Sequence, residues 1–219
     1  MISLPLSKGY RLPILLLCLA IQVASANIVV NGGFEDTSPY PGQPSEIRIP
    51  TGWTMFDPDT PASVAAMCGS SNAHSGNCAG FLAGINGLAS LSQFLSTTPG
   101  EQYILTFYLA AAGVPNEIVV TFGGTELLNS TNFPDQPYSV HTFNISASSA
   151  STKLEFQGSN LFGAFLLDDV SVTPVPEPST WVAGLASVLV LKLRRRQGRR
   201  GNRRELVVPD LASPESAER

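Results

Sequence analysis

The stretch Tyr103-Ile104-Leu105-Thr106-Phe107-Tyr108-Leu109 (YILTFYL) is apolar at both odd and even positions. A strand buried on both faces gives such a continuous apolar run, whereas a strand with one solvated face alternates. The run therefore predicts a central strand. Further along, residues 153–157 (KLEFQ) alternate strictly, which predicts a strand whose Leu154 and Phe156 face the core and whose Glu155 faces water.

Short apolar runs recur along the chain and are separated by turn residues. Pro99-Gly100 suits a type II turn, and Gly123-Gly124 suits a tight hairpin. No run has the length and periodicity of a confident helix, and many short strands at this spacing predict an all-β sandwich or barrel. The predicted strands cover residues 28–30, 47–49, 78–82, 91–95, 103–110, 118–122, 140–145, 153–156 and 165–172.

The composition is that of a folded, turn-rich chain. Of its 219 residues, 43% are hydrophobic and 14% are charged, and it contains 19 Gly and 17 Pro. A disordered chain shows more charge and fewer apolar residues. Between residues 27 and 176, twelve acidic side chains accompany only two basic ones, Arg48 and Lys153, which gives a net charge of −10. Such a surface repels phosphates, which argues against nucleic acid as a partner.

The N-terminus has the pattern of a secretion signal. Two basic residues, Lys8 and Arg11, precede an almost wholly apolar run over residues 12–23. Ala24-Ser25-Ala26 then supplies the small residues that signal peptidase requires. We predict a signal peptide over residues 1–26, with an uncleaved anchor helix as the alternative. The protein is then exported.

Export leaves two cysteines, Cys68 and Cys78, in a loop rich in Gly, Ser and Asn (CGSSNAHSGNC). In an oxidising compartment a pair at this spacing is expected to form a disulfide. The alternative is a metal site that includes His74, but a fourth ligand is missing nearby.

Several short motifs occur in a fixed order along the chain. They are NIVVNGGFE at 27–35, GW at 52–53, LSQ at 91–93, PGEQY at 99–103 and LDDVSV at 167–172. This order resembles that of secreted carbohydrate-binding modules with the galactose-binding-like jelly-roll fold. The resemblance implies a jelly-roll β-sandwich domain over residues 27–173, with its first and last strands as neighbours, that binds polysaccharide.

A structural calcium ion is also implied by this resemblance, at the junction of the first and last strands. Asp168 has the parity of Leu166 and Val170, so in a regular strand it points inward, where a carboxylate needs donors or a cation. Glu35 and Asp168, with backbone carbonyls, are the predicted calcium ligands. In the alternative, Asp168 accepts backbone hydrogen bonds and Glu35 is solvated. No other cofactor is expected.

Four aromatic residues are candidate platforms for a sugar ring: Trp53, Phe56, Tyr40 and Tyr108. Trp53 is the preferred candidate because it lies in a loop-like, Pro-rich region. The alternative is that these rings belong to the core, as most aromatic residues of a sandwich do.

No catalytic signature is visible in the sequence. His74 and His141 are far apart, and there is no nucleophile elbow, metal-ligand cluster or phosphate loop. We therefore predict a non-enzymatic protein. A glycoside hydrolase with an unrecognised acid pair is the alternative.

The C-terminal region combines three features: Val175-Pro176-Glu177-Pro178, an apolar stretch over residues 181–193, and the basic cluster Arg194-Arg195-Arg196. As a helix the apolar stretch is about 20 Å long, short for a hydrocarbon core of about 30 Å. The arginines would stay in the cytoplasm and leave the sandwich outside.

This arrangement resembles the PEP-CTERM sorting signal of exported bacterial proteins, which we assign to residues 174–196. The resemblance implies recognition by an exosortase, transient anchoring in the inner membrane, and a final place at the cell surface or outside the cell, often in bacteria that make extracellular polysaccharide and biofilm. Residues 197–219 form a polar, disordered tail in this interpretation, and such an extension departs from the family pattern. The main functional alternative is a structural matrix protein without sugar binding.

Overall fold

The computed structural model describes residues 26–59 and 63–175. These residues form twelve β-strands and contain no helix. Among them there is accordingly no helix long and apolar enough to cross a bilayer. Residues 1–25 of the predicted signal peptide lie outside the described residues, and so does the chain beyond Val175, with most of the sorting signal and the polar tail. The strands are β1 Thr37–Pro39, β2 Ile47–Pro50, β3 Thr54–Phe56, β4 Val64–Cys68, β5 Cys78–Leu82, β6 Ala89–Ser96, β7 Gln102–Ala112, β8 Asn116–Phe122, β9 Thr125–Thr131, β10 Gln136–Ser146, β11 Ser151–Asn160 and β12 Ala164–Pro174.

Two antiparallel sheets pack against each other, which confirms the predicted all-β sandwich. The seven-stranded sheet has the order β1-β2-β4-β5-β12-β7-β10, and the five-stranded sheet has the order β3-β6-β11-β8-β9. β7 lies between β12 and β10, so the YILTFYL stretch is an interior strand as predicted.

The core lies between the facing sides of the two sheets. Leu105, Phe107 and Leu109 of β7 are fully buried on the inner side, and Leu154 and Phe156 of β11 meet them from the other sheet. The Phe107 and Phe156 rings pack edge to face with their centroids 5.0 Å apart. The alternation predicted for residues 153–157 is therefore confirmed.

Both predicted turns are present. Gly123 and Gly124 have φ angles of 58° and 81° and connect β8 to β9, as a two-residue hairpin with positive φ at both positions requires. At the other turn, the Glu101 N–H donates to the Thr98 carbonyl at 3.1 Å and Gly100 has φ of 85°. This is the type II geometry.

The first predicted strand, residues 28–30, does not form a ladder. It runs beside β12, where the Ile28 N–H donates to the Val172 carbonyl at 2.9 Å. The Gln93 side chain replaces a neighbouring strand at Val30: its Oε1 accepts from the Val30 N–H at 2.8 Å, and its Nε2 donates to the Val30 carbonyl at 3.1 Å. The first segment is thus next to the last strand, but a side-chain amide completes its pairing.

Candidate functional site

The disulfide between Cys68 and Cys78 is present, as predicted, with an S–S distance of 2.06 Å. The two cysteines are cross-strand partners at the adjoining ends of β4 and β5. Residues 69–77 between them, the disulfide loop, fold over the outer face of the seven-stranded sheet. The side chains that hold this loop come mainly from β12, β7 and β10.

Asp168 is fully buried, but on the outer face of its sheet rather than in the core. Phe165 and Leu167 face the core; the register then shifts after Asp168, where Asp169 has a φ of 49°. This bulge returns Val170 to the core side and leaves Asp168 on the outer face, opposite Tyr108. The prediction that Asp168 points inward on a regular strand is therefore wrong, although its burial was predicted.

Backbone N–H groups of the disulfide loop satisfy the Asp168 carboxylate. Its Oδ2 accepts from the N–H groups of His74 at 2.8 Å and Ser75 at 3.0 Å, and its Oδ1 accepts from the Asp169 N–H at 2.7 Å. Burial raises the pKa of Asp168, while these hydrogen bonds act in the opposite direction. The carboxylate thus anchors the loop to the sheet.

Glu35 anchors the far end of the same loop. Its Oε1 accepts from the N–H groups of Asn77 at 2.7 Å and Cys78 at 2.8 Å. Both oxygens of Asp168 and Oε1 of Glu35 therefore face N–H donors. The described residues contain no group of three or more His, Cys, Asp or Glu side chains placed to hold one metal ion. This arrangement does not fit the predicted calcium site at Glu35 and Asp168. It fits the hydrogen-bond alternative for Asp168, with Glu35 bonded to the loop rather than only solvated.

His74 is the central side chain of the disulfide loop. Its ring stacks on Tyr108 with the centroids 3.7 Å apart and meets the Tyr138 ring edge-on at 5.4 Å. Its Nδ1 lies 2.7 Å from Asp169 Oδ2, and Ser75 Oγ donates to Asp169 Oδ1 at 2.7 Å. When Nδ1 carries the proton and donates to Asp169, Nε2 has a free lone pair and can accept a hydrogen bond.

The Tyr138 hydroxyl donates to the Asn72 carbonyl at 2.6 Å. Burial and the charges of Asp168 and Asp169 raise the pKa of Tyr138 far above its ordinary value, so this hydroxyl stays a donor. The cluster does not form a hydrolytic triad, because the Ser75 hydroxyl bonds to Asp169 and not to His74.

A groove of about 220 Å³ lies next to this cluster on the outer face of the seven-stranded sheet. We call it the outer-face groove. Small alanine side chains and three larger apolar ones line it, and Gln136 contributes an amide. Tyr108 stands two residues before Ala110 on β7, and Asp168 stands two residues after Leu166 on β12, so the His74 cluster adjoins the groove. The lining residues are Met67, Phe81, Ala110, Ala111, Ala112, Gln136, Ala164 and Leu166.

The predicted platforms do not converge on one site. Trp53 is only 7% exposed, its ring stacks on Phe34 at 5.1 Å, and its Nε1 donates to the Asn31 carbonyl at 3.0 Å. Trp53 is a core residue, which does not fit the predicted exposed platform. Phe56 is 61% exposed at the edge of the five-stranded sheet, and the half-buried Tyr40 follows β1 at an edge of the other sheet.

The residues that form the groove left little signal in the sequence. The sequence indicates His74 only as an alternative metal ligand and as one of two histidines too far apart in sequence to suggest a catalytic pair. Tyr108 is one of four candidate platforms, and Phe81 is only part of a predicted strand. The alanines at 110 and 112 indicate no function in the sequence; they line the groove from the outer face of β7, whereas Ala111 between them packs in the core cluster.

Several solved structures similar to this chain are carbohydrate-binding modules. The module TmCBM61 in complex with β-1,4-galactotriose matches with a TM-score of 0.51 at 19% identity, over 69% of this chain and 100% of the module. A family 16 carbohydrate-binding module matches at 0.45 and 18% identity, over 67% of this chain and 99% of the module. The K3 adhesin domain of Lys-gingipain from Porphyromonas gingivalis matches at 0.48 and 17%, over 68% and 99%. No protein-family model matches the chain, and no curated protein does.

Proposed function

We propose that this protein is an exported, non-enzymatic carbohydrate-binding module that holds a polysaccharide in the outer-face groove. The observation that carries the proposal is the fold, which covers the whole length of a sugar-complexed module. The groove adds the chemistry: an apolar floor beside a cluster of polar groups with fixed orientations.

The alanine floor lets the C–H face of a sugar ring approach the sheet closely, with Phe81 as an apolar contact. Sugar hydroxyls can bond to the Gln136 amide and to Nε2 of His74, whose ring is held by Tyr108 and Asp169. A neutral polymer suits the groove better than a polyanion, because the net charge of −10 over residues 27–176 repels polyanions.

Affinity electrophoresis of the purified protein against a panel of neutral polysaccharides tests the proposal. We expect at least one polysaccharide to retard the wild type, and we expect Ala110→Trp, which fills the groove, to weaken binding by about tenfold or more. Thr142→Trp is the matched control, because Thr142 is exposed on the outer face of β10 outside the groove. The proposal is contradicted if no polysaccharide in the panel retards the wild type, or if both variants lose binding to the same extent.

One observation favours a second function, that of a structural surface protein without sugar binding. Trp53, the preferred platform, is in the core, so the groove lacks the large exposed ring that the sequence led us to expect. The same electrophoresis separates the two functions, because a purely structural protein is retarded by no polysaccharide.

The proposal includes sorting by an exosortase at Val175-Pro176-Glu177-Pro178, with the protein held transiently at the inner membrane and then placed at the cell surface or outside the cell. The motif, the apolar stretch and the basic cluster in the sequence support it. Mass spectrometry of the surface form should find a C-terminus near Glu177. Replacing residues 176–178 with alanine should leave the full-length chain in the membrane fraction, and a full-length surface form of the wild type would argue against processing.

A further inference from the structure

A second cavity, of about 340 Å³, lies at one end of the sandwich. We call it the end pocket. It is bordered by the segment after β5 and by the ends of three neighbouring strands of the five-stranded sheet, β11, β8 and β9. Its lining residues are Gly84, Ile85, Pro115, Asn116, Glu117, Thr131, Asn132, Ser159, Asn160 and Leu161.

Ser159, Glu117 and Thr131 form a row across the floor of the end pocket. Ser159 pairs with Glu117, and Glu117 pairs with Thr131, so the three side chains share one face of the sheet. This is the outer face, because the next residue of β8, Ile118, is fully buried in the core. Among the described residues, no side chain bonds to or pairs with the Glu117 carboxylate or with the two hydroxyls.

Side-chain to backbone hydrogen bonds hold the frame of the end pocket. The Asn116 side chain donates to the carbonyls of Gly113 at 2.6 Å and Phe133 at 3.0 Å, and it accepts from the Phe133 N–H at 2.7 Å. The Asn160 amide donates to the Ala112 carbonyl at 2.8 Å. These bonds occupy the two amides and leave Glu117 as the acceptor available to a ligand.

An apolar rim stands over this polar row. Ile85 is 58% exposed and Leu161 is 50% exposed, and both line the pocket together with Pro115. Exposed aliphatic side chains beside an unpaired carboxylate suit a ligand that has an apolar face and a positive charge.

The charge around the end pocket is negative. Asp59 accepts from the N–H groups of Ile85 at 2.6 Å and Asn86 at 2.9 Å, and Asp135 accepts from the Gly113 N–H at 2.8 Å. The Ile85 bond is the main cause that lowers the pKa of Asp59, which therefore stays ionised. No described basic side chain lines the pocket; Lys153 is six residues before Ser159 on β11, roughly 20 Å away, and is paired with Glu155.

We propose that the end pocket binds an amino sugar with a free, protonated amine. Glu117 pairs with the ammonium group, Ser159 and Thr131 bond to neighbouring hydroxyls, and Ile85 and Leu161 contact the C–H face of the ring. The choice of a saccharide over another amine rests on the proposed function. The pocket itself is distinct from the outer-face groove, because its polar row belongs to the five-stranded sheet.

Isothermal titration of the purified protein with three oligosaccharides of equal length tests this site: glucosamine, N-acetylglucosamine and glucose oligomers. The acetyl group removes the charge and leaves the ring. We expect the wild type to bind the glucosamine oligomer about tenfold more tightly than the other two, and Glu117→Gln to abolish this preference.

The matched control is Glu126→Gln, which removes an exposed carboxylate on β9 outside the pocket and should keep the preference. Equal affinity for the charged and acetylated oligomers in the wild type, or the same loss in both variants, would overturn the site. The Ala110→Trp variant separates this proposal from the proposed function, because it blocks only the groove. A glucosamine preference that persists in a protein that no neutral polysaccharide retards would support the end pocket and contradict the groove.

Discussion

At the scale of single residues, Trp53 should contribute to the stability of the fold and not to polysaccharide binding. Its ring is stacked on Phe34, and its N–H is bonded to Asn31, so Trp53→Ala should lower the free energy of unfolding by about 3–5 kcal/mol. The folded protein should bind polysaccharide as before, because Trp53 does not line the groove. Chemical denaturation and affinity electrophoresis measure the two effects.

Phe56→Ala is the comparison, since the exposed Phe56 ring should contribute within about 0.5 kcal/mol to stability. If Trp53→Ala weakens binding without lowering stability, Trp53 is a platform after all. If Phe56→Ala abolishes binding, the five-stranded sheet rather than the groove holds the polysaccharide.

Asp168 should stabilise the protein through hydrogen bonds and not through a metal ion. Asp168→Ala leaves the N–H groups of His74 and Ser75 without their acceptor, which should cost about 1–3 kcal/mol. Asp36→Ala, at an exposed carboxylate, should have little effect. Because both Asp168 oxygens and Oε1 of Glu35 already accept N–H donors, a chelator should leave the melting temperature of the wild type unchanged in calorimetry. A clear fall on chelation would restore the calcium site.

The burial of Asp168 was predictable, because an acidic residue inside an apolar strand pattern has to be covered or bonded. The face of the sheet on which Asp168 lies was not predictable, because the alternation of side chains is interrupted at a β-bulge. No glycine marks this bulge in the sequence, since Asp169 itself adopts the positive φ. The location of Trp53 depends on Phe34 and Asn31, which are distant in sequence.

At the scale of elements, the disulfide loop connects stability to the groove. Replacing both Cys68 and Cys78 with serine should lower stability by roughly 2–3 kcal/mol, because the unfolded chain gains freedom. It should also weaken polysaccharide binding, because the loop positions His74 beside the groove. Chemical denaturation and affinity electrophoresis measure the two effects, and the double variant and the reduced wild type should show the same losses of stability and of binding. Unchanged binding in both would remove the loop from the site.

β10 should give the fold a dependence on pH through His141. Its ring packs on Phe107 with the centroids 5.2 Å apart, and burial lowers its pKa below the ordinary value of 6.5. Because the unfolded chain then binds the proton more tightly, this contribution is complete above the unfolded pKa and is lost as the pH falls through the folded pKa. Urea denaturation at about pH 7 and about pH 5 should show a smaller loss for His141→Gln than for the wild type. Parallel losses would contradict this role.

The elements that the sequence identified are those with strong apolar runs, such as β5, β7 and β12. Four strands were missed because they lack such runs. β1 has three residues and ends in a proline, β3 has three residues, the middle of β4 is Ala-Ala, and β9 is mainly polar. Short or polar strands form because a neighbouring strand supplies their hydrogen bonds, and this is a tertiary effect.

At the scale of the whole molecule, which carries a net charge of −10 over residues 27–176, the dependence of binding on salt distinguishes the two proposed sites. Binding of a neutral polysaccharide in the groove should change little between low and high salt. The preference of the end pocket for glucosamine should fall as salt rises, because screening weakens the attraction of the half-buried Glu117 carboxylate for an ammonium group. Titrations at two ionic strengths test this, and a preference that is independent of salt would mean that charge does not determine it.

The place of β12 has a mechanical consequence. This strand lies between β5 and β7, its side chains line the groove, and the chain leaves the described domain at its C-terminal end. Tension between a held polymer and a membrane anchor beyond Val175 would act along the length of β12. The hydrogen bonds on both of its sides would then be loaded together in shear, instead of opening one after another as at a peeled edge strand. If the protein is anchored as proposed, this interior place of β12 would help the domain to resist such a pull.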